Sequence, residues 1–138
     1  PLRRKDHREG VVAHRSRIGV IVIDCETEDL GPACAFWRDA LGVSGSVDPD
    51  GKYAVLADRA GYPKLLLQAV DHAPRVHLDI ETDDREAECA RLEALGATAV
   101  GRVKEWIVME APTGHRFCLV GPQGPDFPGD AAVWEAAS

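Results

Sequence analysis

Acidic residues two positions apart, with one histidine beside them, are the part of this chain best suited to chemistry. Asp24 and Glu26 alternate in one segment, and His77, Asp79 and Glu81 alternate in another, with Asp79 lying 55 positions after Asp24. Residues two apart on a strand face the same side, so each segment would present its polar groups on one surface. Carboxylates beside an imidazole can act as a general acid and a general base. We therefore predict that His77, Asp79 and Asp24 are catalytic residues.

The two segments are parts of a longer internal repeat. Residues 22–29 match residues 77–84 at an offset of 55, and residues 64–67 match residues 116–119 at an offset of 52. An offset that falls along the repeat indicates small deletions in the loops. The pattern predicts that the chain contains one structural unit twice.

Each copy reads as a strand, a helix and three further strands. The first copy opens with a β-branched run at 18–25, and Asp29 would cap a helix that ends at Gly42. In the second copy, Asp83 or Asp84 would cap a helix that ends at Gly96. The apolar stripes expected to be buried are Ala33, Phe36, Trp37, Ala40 and Leu41 in the first helix, and Ala87, Ala90, Ala94 and Leu95 in the second.

The fold class predicted from this pattern is α+β, with two tandem βαβββ modules. Module one covers 18–70 and module two covers 76–121, so a single domain spans 18–121. A basic N-terminal arm over 1–17 is expected to be a solvated tail, and a turn-rich C-terminal extension covers 122–138. Within that extension, Phe127, Val133 and Trp134 could hold the segment against the domain.

Two βαβββ modules whose helices end in Leu-Gly resemble the vicinal oxygen chelate superfamily. The strings that carry the resemblance lie at 35–42, 76–84 and 111–120, and they are most similar to glyoxalase-like (bleomycin-resistance and dioxygenase-related) members. The resemblance implies a cup-shaped mixed sheet with the helices outside. It also implies a divalent metal or a small organic ligand in the cup, and it implies a homodimer.

The family's metal ligands come from four strand positions, which fall here on Val22, Leu66, His77 and Cys118. Only His77 is an ordinary ligand; Cys118 could bind a soft metal, and Val22 and Leu66 have no donor atom. We therefore expect the inherited metal site to be absent and predict no cofactor, although a divalent metal remains an alternative. The rearranged metal set would then be His77, Gln68 and Glu110.

Strand alternation, combined with this resemblance, defines a predicted ligand-binding surface. It would be an apolar-walled cleft with one aromatic residue at each side and a few polar groups, which is typical of small-molecule sites. Asp24 and Asp79 could instead form structural ion pairs with Lys64 and Arg116, and the two aromatic residues could be ordinary sheet residues. The predicted ligand-binding residues are Val22, Tyr53, Lys64, Leu66, Gln68, Trp106, Arg116 and Cys118.

Charge and cysteine content narrow the function classes. Residues 1–17 carry a net charge of +4, which leaves −11 on the rest of a chain whose net charge is −7. An acidic body argues against nucleic-acid binding, and the chain has no apolar run near the length of a membrane span. The four cysteines form no C-x-x-C pair, so we expect reduced thiols and a cytoplasmic protein.

Three functions follow as hypotheses. The first is a metal-free member of the family that binds a small organic molecule in the cup, either to sequester it or to perform acid/base chemistry with His77. The second is a divalent-metal-dependent lyase or isomerase, or an extradiol-type dioxygenase. The third is a non-catalytic interaction module, which the basic arm and the aromatic C-terminal segment would favour.

Overall fold

The computed structural model describes residues 3–4, 12–56 and 64–135. Most of the basic arm and residues 136–138 lie outside these ranges. So do the end of a strand that the sequence predicts at 53–58 and the turn that Gly61, Tyr62 and Pro63 predict. The chain forms two compact units. The first unit is Val20–His77, and the second unit combines Pro1–Gly19 with Leu78–Ser138. Neither of the two helices in the described ranges is long and apolar enough to cross a membrane.

The first unit has the predicted order of one strand, one helix and three strands. Strand β2 spans Val12–Glu26, and its residues from Val20 onward belong to the first unit. It pairs in parallel with β5 (Leu65–Val70), and β5 pairs antiparallel with β4 (Tyr53–Leu56). Strand β3 (Gly45–Val47) completes the order β3-β4-β5-β2. Helix α1 (Leu30–Leu41) connects β2 to β3.

Helix α1 begins and ends where the sequence predicts. The Asp29 carboxylate accepts a hydrogen bond from the Gly31 amide at 2.9 Å, which satisfies one of the free N–H groups of the first turn. Gly42 ends the helix with a φ of 66°, a left-handed conformation that favours glycine.

The buried face of α1 is rotated relative to the predicted stripe. Leu30 and Cys34 are its buried residues, Trp37 packs partly against the same core, and Phe36 is exposed. The prediction that Phe36, Ala40 and Leu41 are buried is therefore wrong. The core beneath the helix is completed by Ala54, Leu56 and Leu67 from the sheet.

The second unit repeats the same arrangement. Strand β6 spans Arg75–Thr82, and its residues from Leu78 onward belong to the second unit. It pairs in parallel with β9 (Arg116–Val120). Strand β9 pairs antiparallel with β8 (Trp106–Glu110), which pairs antiparallel with β7 (Thr98–Val103). Helix α2 (Arg85–Ala94) begins at Asp84, whose side chain accepts from the Ala87 amide. The prediction of α+β class with two βαβββ modules is thus confirmed.

Helix α2 buries a different face from the predicted one. Ala90, Ala94 and Leu95 are exposed, whereas Glu88 and Cys89 are buried. Cys89 joins a core formed with Ile107, Met109 and Leu119. The apolar pattern was misleading here because the inward-facing position holds a carboxylate, which other residues of the unit neutralise.

Strand β2 starts six residues before the predicted strand, and its first part belongs to the second unit. Strand β10 (Ala132–Glu135) pairs antiparallel with both this part of β2 and the short β1 (Arg3–Arg4). The Trp134 indole N–H donates to the Ser16 hydroxyl at 2.9 Å, so the prediction that the C-terminal segment is held in place fits the structure. The interpretation of His14 as a tail residue is wrong, because His14 is buried within β2.

One charged group holds α2 to this part of the second unit. The Glu88 carboxylate accepts two hydrogen bonds from Arg91 at 2.7 Å and lies 2.7 Å from His14 Nε2. The Arg91 guanidinium also stacks over the Trp134 ring, 3.8 Å from its centre. Helix α2, strand β2 and strand β10 thus share one buried polar network.

Candidate functional site

Helix α1 covers one face of the sheet of the first unit, and the candidate site lies on the opposite face. Ile23 and Cys25 pack on the helix side, and Val22 and Asp24 alternate with them on the other side. Strand register extends this second face across three strands. One row is Asp24, Gln68 and Tyr53, and the next row is Val22, Leu66 and Val55. Within the first unit these residues therefore lie on one face of the sheet.

Asp24 is the electrostatic centre of this face. It is 2% exposed, and three residues from the end of the first unit contact its carboxylate. His77 Nε2 lies 3.4 Å from Oδ1, the Arg75 Nε–H donates to Oδ2 at 3.3 Å, and His72 Nε2 lies 3.7 Å from Oδ2. A buried carboxylate is costly unless cations or hydrogen bonds compensate it, and these neighbours supply both.

His72 is oriented by its own backbone. Its Nδ1 lies 2.8 Å from the Ala73 carbonyl oxygen, which can only accept, so Nδ1 carries the hydrogen. In the neutral ring Nε2 is then an acceptor, and the Nη2 group of Arg75 lies 3.4 Å from it. His72 and Arg75 therefore form a connected pair beside Asp24.

The rest of the row is polar but uncharged, and its neighbours are apolar. The Gln68 amide donates to the Tyr53 hydroxyl at 3.4 Å. Val55 is 64% exposed on the adjacent row, and Leu66 is half-buried. This combination of apolar surface with a few fixed polar groups can hold a small organic molecule.

Asp24 and Arg116 each form an ion pair that the sequence did not indicate. Asp24 contacts Arg75 and His72, while Lys64 lies exposed just before β5. In the second unit, Arg116 donates to Glu110 at 2.8 Å. Sequence reasoning missed Arg75 and His72. Arg75 precedes His77 by two positions on the same strand, so alternation alone could have placed it on the same face.

The second unit presents a corresponding row, but its register is shifted by two residues. Asp79 pairs with Cys118, and Cys118 pairs with Val108. In the sequence repeat, Cys118 corresponds to Leu66, and Leu66 pairs with Val22. A strict repeat would therefore pair Cys118 with the residue that corresponds to Val22, whereas the observed partner, Asp79, corresponds to Asp24. Trp106 stands at the start of β8 with the Lys104 ammonium 5.6 Å from its ring centre, which is a cation–π contact.

The metal positions carried over from the resemblance divide into two kinds. Val22 and Leu66 are register partners and offer no donor, so this pair cannot bind a metal. Within the second unit, however, Asp79 and Cys118 are register partners on β6 and β9, and each offers a donor atom. A carboxylate and a thiol are one ligand fewer than the three protein ligands of catalytic zinc sites. Of the rearranged set, Glu110 pairs with Arg116 and Gln68 with Tyr53.

The thiols of the described residues are all unlinked by disulfides. Burial, together with the neighbouring Asp24 carboxylate, raises the pKa of the Cys25 thiol. Burial also raises the pKa of Cys89. Both groups are therefore held in the protonated form, which is the less reactive one.

Comparison with solved structures gives relatives of the same fold. A protein named NAD-dependent benzaldehyde dehydrogenase from Legionella pneumophila is 10% identical, with a TM-score of 0.55, 75% of this chain covered and 99% of that one. A superfamily member from Vibrio splendidus 12B01, described as glyoxalase/bleomycin resistance protein/dioxygenase, is 21% identical, with a TM-score of 0.50 and coverages of 76% and 99%. At these identities the likeness shows the fold alone.

A further neighbour is 2,2′,3-trihydroxybiphenyl 1,2-dioxygenase from Sphingomonas wittichii strain RW1. It is 17% identical, with a TM-score of 0.54, and 80% of this chain is covered. The chain spans 42% of the length of that dioxygenase. No curated protein matches the chain. The family model described as glyoxalase-like domain matches residues 20–120, which include most of both βαβββ modules. The chain therefore belongs to the glyoxalase-like domain family, within the vicinal oxygen chelate superfamily.

Proposed function

We propose that this protein binds a small, partly apolar organic molecule on the face of the first unit's sheet opposite α1, without the family's usual set of metal ligands. The observation that carries the proposal is the buried Asp24 carboxylate, contacted by His77, Arg75 and His72 at the end of a polar row. Positions that the family uses for metal are occupied by the paired Val22 and Leu66, which provide apolar wall instead.

His77 and Asp24 form the pair suited to chemistry on a bound molecule. A carboxylate beside an imidazole fixes the orientation of the ring and stabilises the imidazolium ion that forms when the ring takes a proton. The Nε2–Oδ1 separation of 3.4 Å places the two groups in contact. His77 would accept or donate the proton, and Asp24 would hold the ring in place.

A charge introduced into the row of Val22, Leu66 and Val55 should abolish ligand binding without unfolding the protein. We expect the neutral probe phenylacetamide to shift the backbone amide signals of Val55, Leu66 and Gln68 in two-dimensional ¹H–¹⁵N NMR spectra. The variant Val55→Glu should lose these shifts, because the new carboxylate would have to be desolvated against the ring. Val55 is 64% exposed, so the substitution should leave the fold intact.

The matched control is Val103→Glu, which changes the same residue type at an exposed position of β7 in the second unit. That variant should bind phenylacetamide as the wild type does. Shifts that persist in Val55→Glu, or that map to the α1 side of the sheet in the wild type, would contradict the proposal.

A metal-dependent lyase, isomerase or dioxygenase is the second candidate, and the paired donor residues Asp79 and Cys118 of the second unit favour it. These two residues would hold the ion. A bound divalent metal would supply Lewis-acid activation of a substrate oxygen.

A further inference from the structure

We infer that the molecule bound by the first unit is a carboxylic acid, and that Arg75 is the residue that recognises its carboxylate. The inference rests on the proposed function, because it concerns the same face of the sheet. It adds the chemical class of the ligand and names Arg75 as the recognition residue, with His72 beside it as a positioning residue.

The guanidinium of Arg75 is fixed in place but only partly used. Its Nε–H donates to Asp24, and its Nη2 lies next to His72. Among the described residues, its Nη1 group has no hydrogen-bond partner, and the side chain is 51% exposed. A planar guanidinium has five donors, so Arg75 still has N–H groups that can face a ligand from solvent.

Two other arginines of the described ranges use their donors differently. Arg91 and Arg102 each place two N–H donors on one glutamate, Glu88 and Glu86 respectively. In those pairs a protein carboxylate already occupies the two-bond site that a ligand carboxylate would use. Arg75 instead meets Asp24 through a single N–H group at 3.3 Å. A second carboxylate, from a ligand, would complete the set of partners.

The position of Arg75 relative to the row of Asp24, Gln68 and Tyr53 indicates which chemical groups the ligand carries. Asp24, which Arg75 contacts, is the register partner of Gln68, and Gln68 is the partner of Tyr53. A carboxylate on Arg75 would leave the rest of the molecule near the half-buried Leu66 and the exposed Val55. The ligand class is therefore a small organic acid with an apolar body. Repulsion from Asp24 is offset by the Arg75 guanidinium, which lies against its carboxylate.

The test compares two probes of the same size, phenylacetate with a charged carboxylate and phenylacetamide with a neutral amide, by NMR titration of the full chain. Phenylacetate should bind the wild type about tenfold more tightly, because a charge-assisted hydrogen bond is stronger than a neutral one. In Arg75→Gln the two probes should bind equally. Arg102→Gln, which alters an arginine of similar exposure in the second unit, should keep the tenfold preference.

Equal binding of the two probes to the wild type, or a full preference in Arg75→Gln, would overturn the inference. If the amide spectrum shows that Arg75→Gln is unfolded, Arg75→Lys replaces it. Lysine keeps the charge without the planar fork, so most of the preference should be lost, and full retention would overturn the inference. Binding of phenylacetamide without preference would leave the proposed function standing, whereas binding of neither probe would overturn both.

Discussion

Replacing Glu88 with alanine is expected to lower the free energy of unfolding by about 3–5 kcal/mol, because removing one partner of a buried ion pair leaves the other without compensation. The Glu88 side chain is 0% exposed and accepts hydrogen bonds from Arg91 while contacting the buried His14. In its absence the Arg91 guanidinium and the His14 ring would have no carboxylate. Urea unfolding followed by circular dichroism measures the change.

The control is Glu86→Ala on the same helix. Glu86 also forms a two-bond pair with an arginine, Arg102, but its side chain is 68% exposed. Exposed pairs contribute about 0–1 kcal/mol, because water screens them. A loss in Glu88→Ala no larger than that in Glu86→Ala would show that the buried network is not a main source of stability.

The same carboxylate makes stability depend on acid. Burial alone would raise the pKa of Glu88, but hydrogen bonds from Arg91, His14 and Ser16 outweigh it and lower the pKa below its ordinary value of 4.5. The stabilisation is therefore complete above the unfolded pKa and is lost as the pH falls through the lowered folded value. On acidification from neutral pH, the wild type should lose more stability than Glu88→Gln; parallel losses would contradict this account.

Two neighbouring leucines of β5 should separate stability from binding. Leu67 is fully buried beneath α1 in the core of the first unit. Leu67→Ala should lower the free energy of unfolding by about 2–5 kcal/mol, through the lost burial and the cavity left behind. The measurement is again urea unfolding.

Leu66→Ala is the matched change on the opposite face of the same strand. Leu66 is half-buried and packs in the row with Val22 and Val55, so its truncation should cost less stability than that of Leu67. It should also weaken phenylacetamide binding, because it removes apolar surface from the proposed ligand face. If Leu66→Ala leaves binding unchanged, the ligand face has been assigned to the wrong side of the sheet.

Much of the fold follows from local sequence signals. The βαβββ order, the caps at Asp29 and Asp84 and the left-handed Gly42 all correspond to patterns within a few residues of one another. Strand alternation also separated Val22 and Asp24 from Ile23 and Cys25 correctly. Period-two alternation sorts faces without knowledge of the partner strand.

The errors arise where a residue's environment comes from distant parts of the chain. Glu88 is buried because His14, 74 positions away, and Arg91 compensate its charge, and no periodicity within α2 reveals that. The sequence also could not predict that Asp79 pairs with Cys118, two residues away from the pairing that the repeat implies. A shift of two residues keeps each side chain on the same face of the sheet, so the hydrophobic pattern does not change. His72 was missed because it lies in the connection between β5 and β6, whose path no periodicity reveals, whereas alternation along β6 could have placed Arg75.

The central claim, that the ligand face works without the family's metal set, is tested most directly by the metal content of the protein. The protein should be prepared without affinity nickel or chelator and examined by elemental mass spectrometry. The account predicts only background levels of transition metals. About one equivalent of one metal, lost in Asp79→Asn, would contradict it and would support a metalloenzyme.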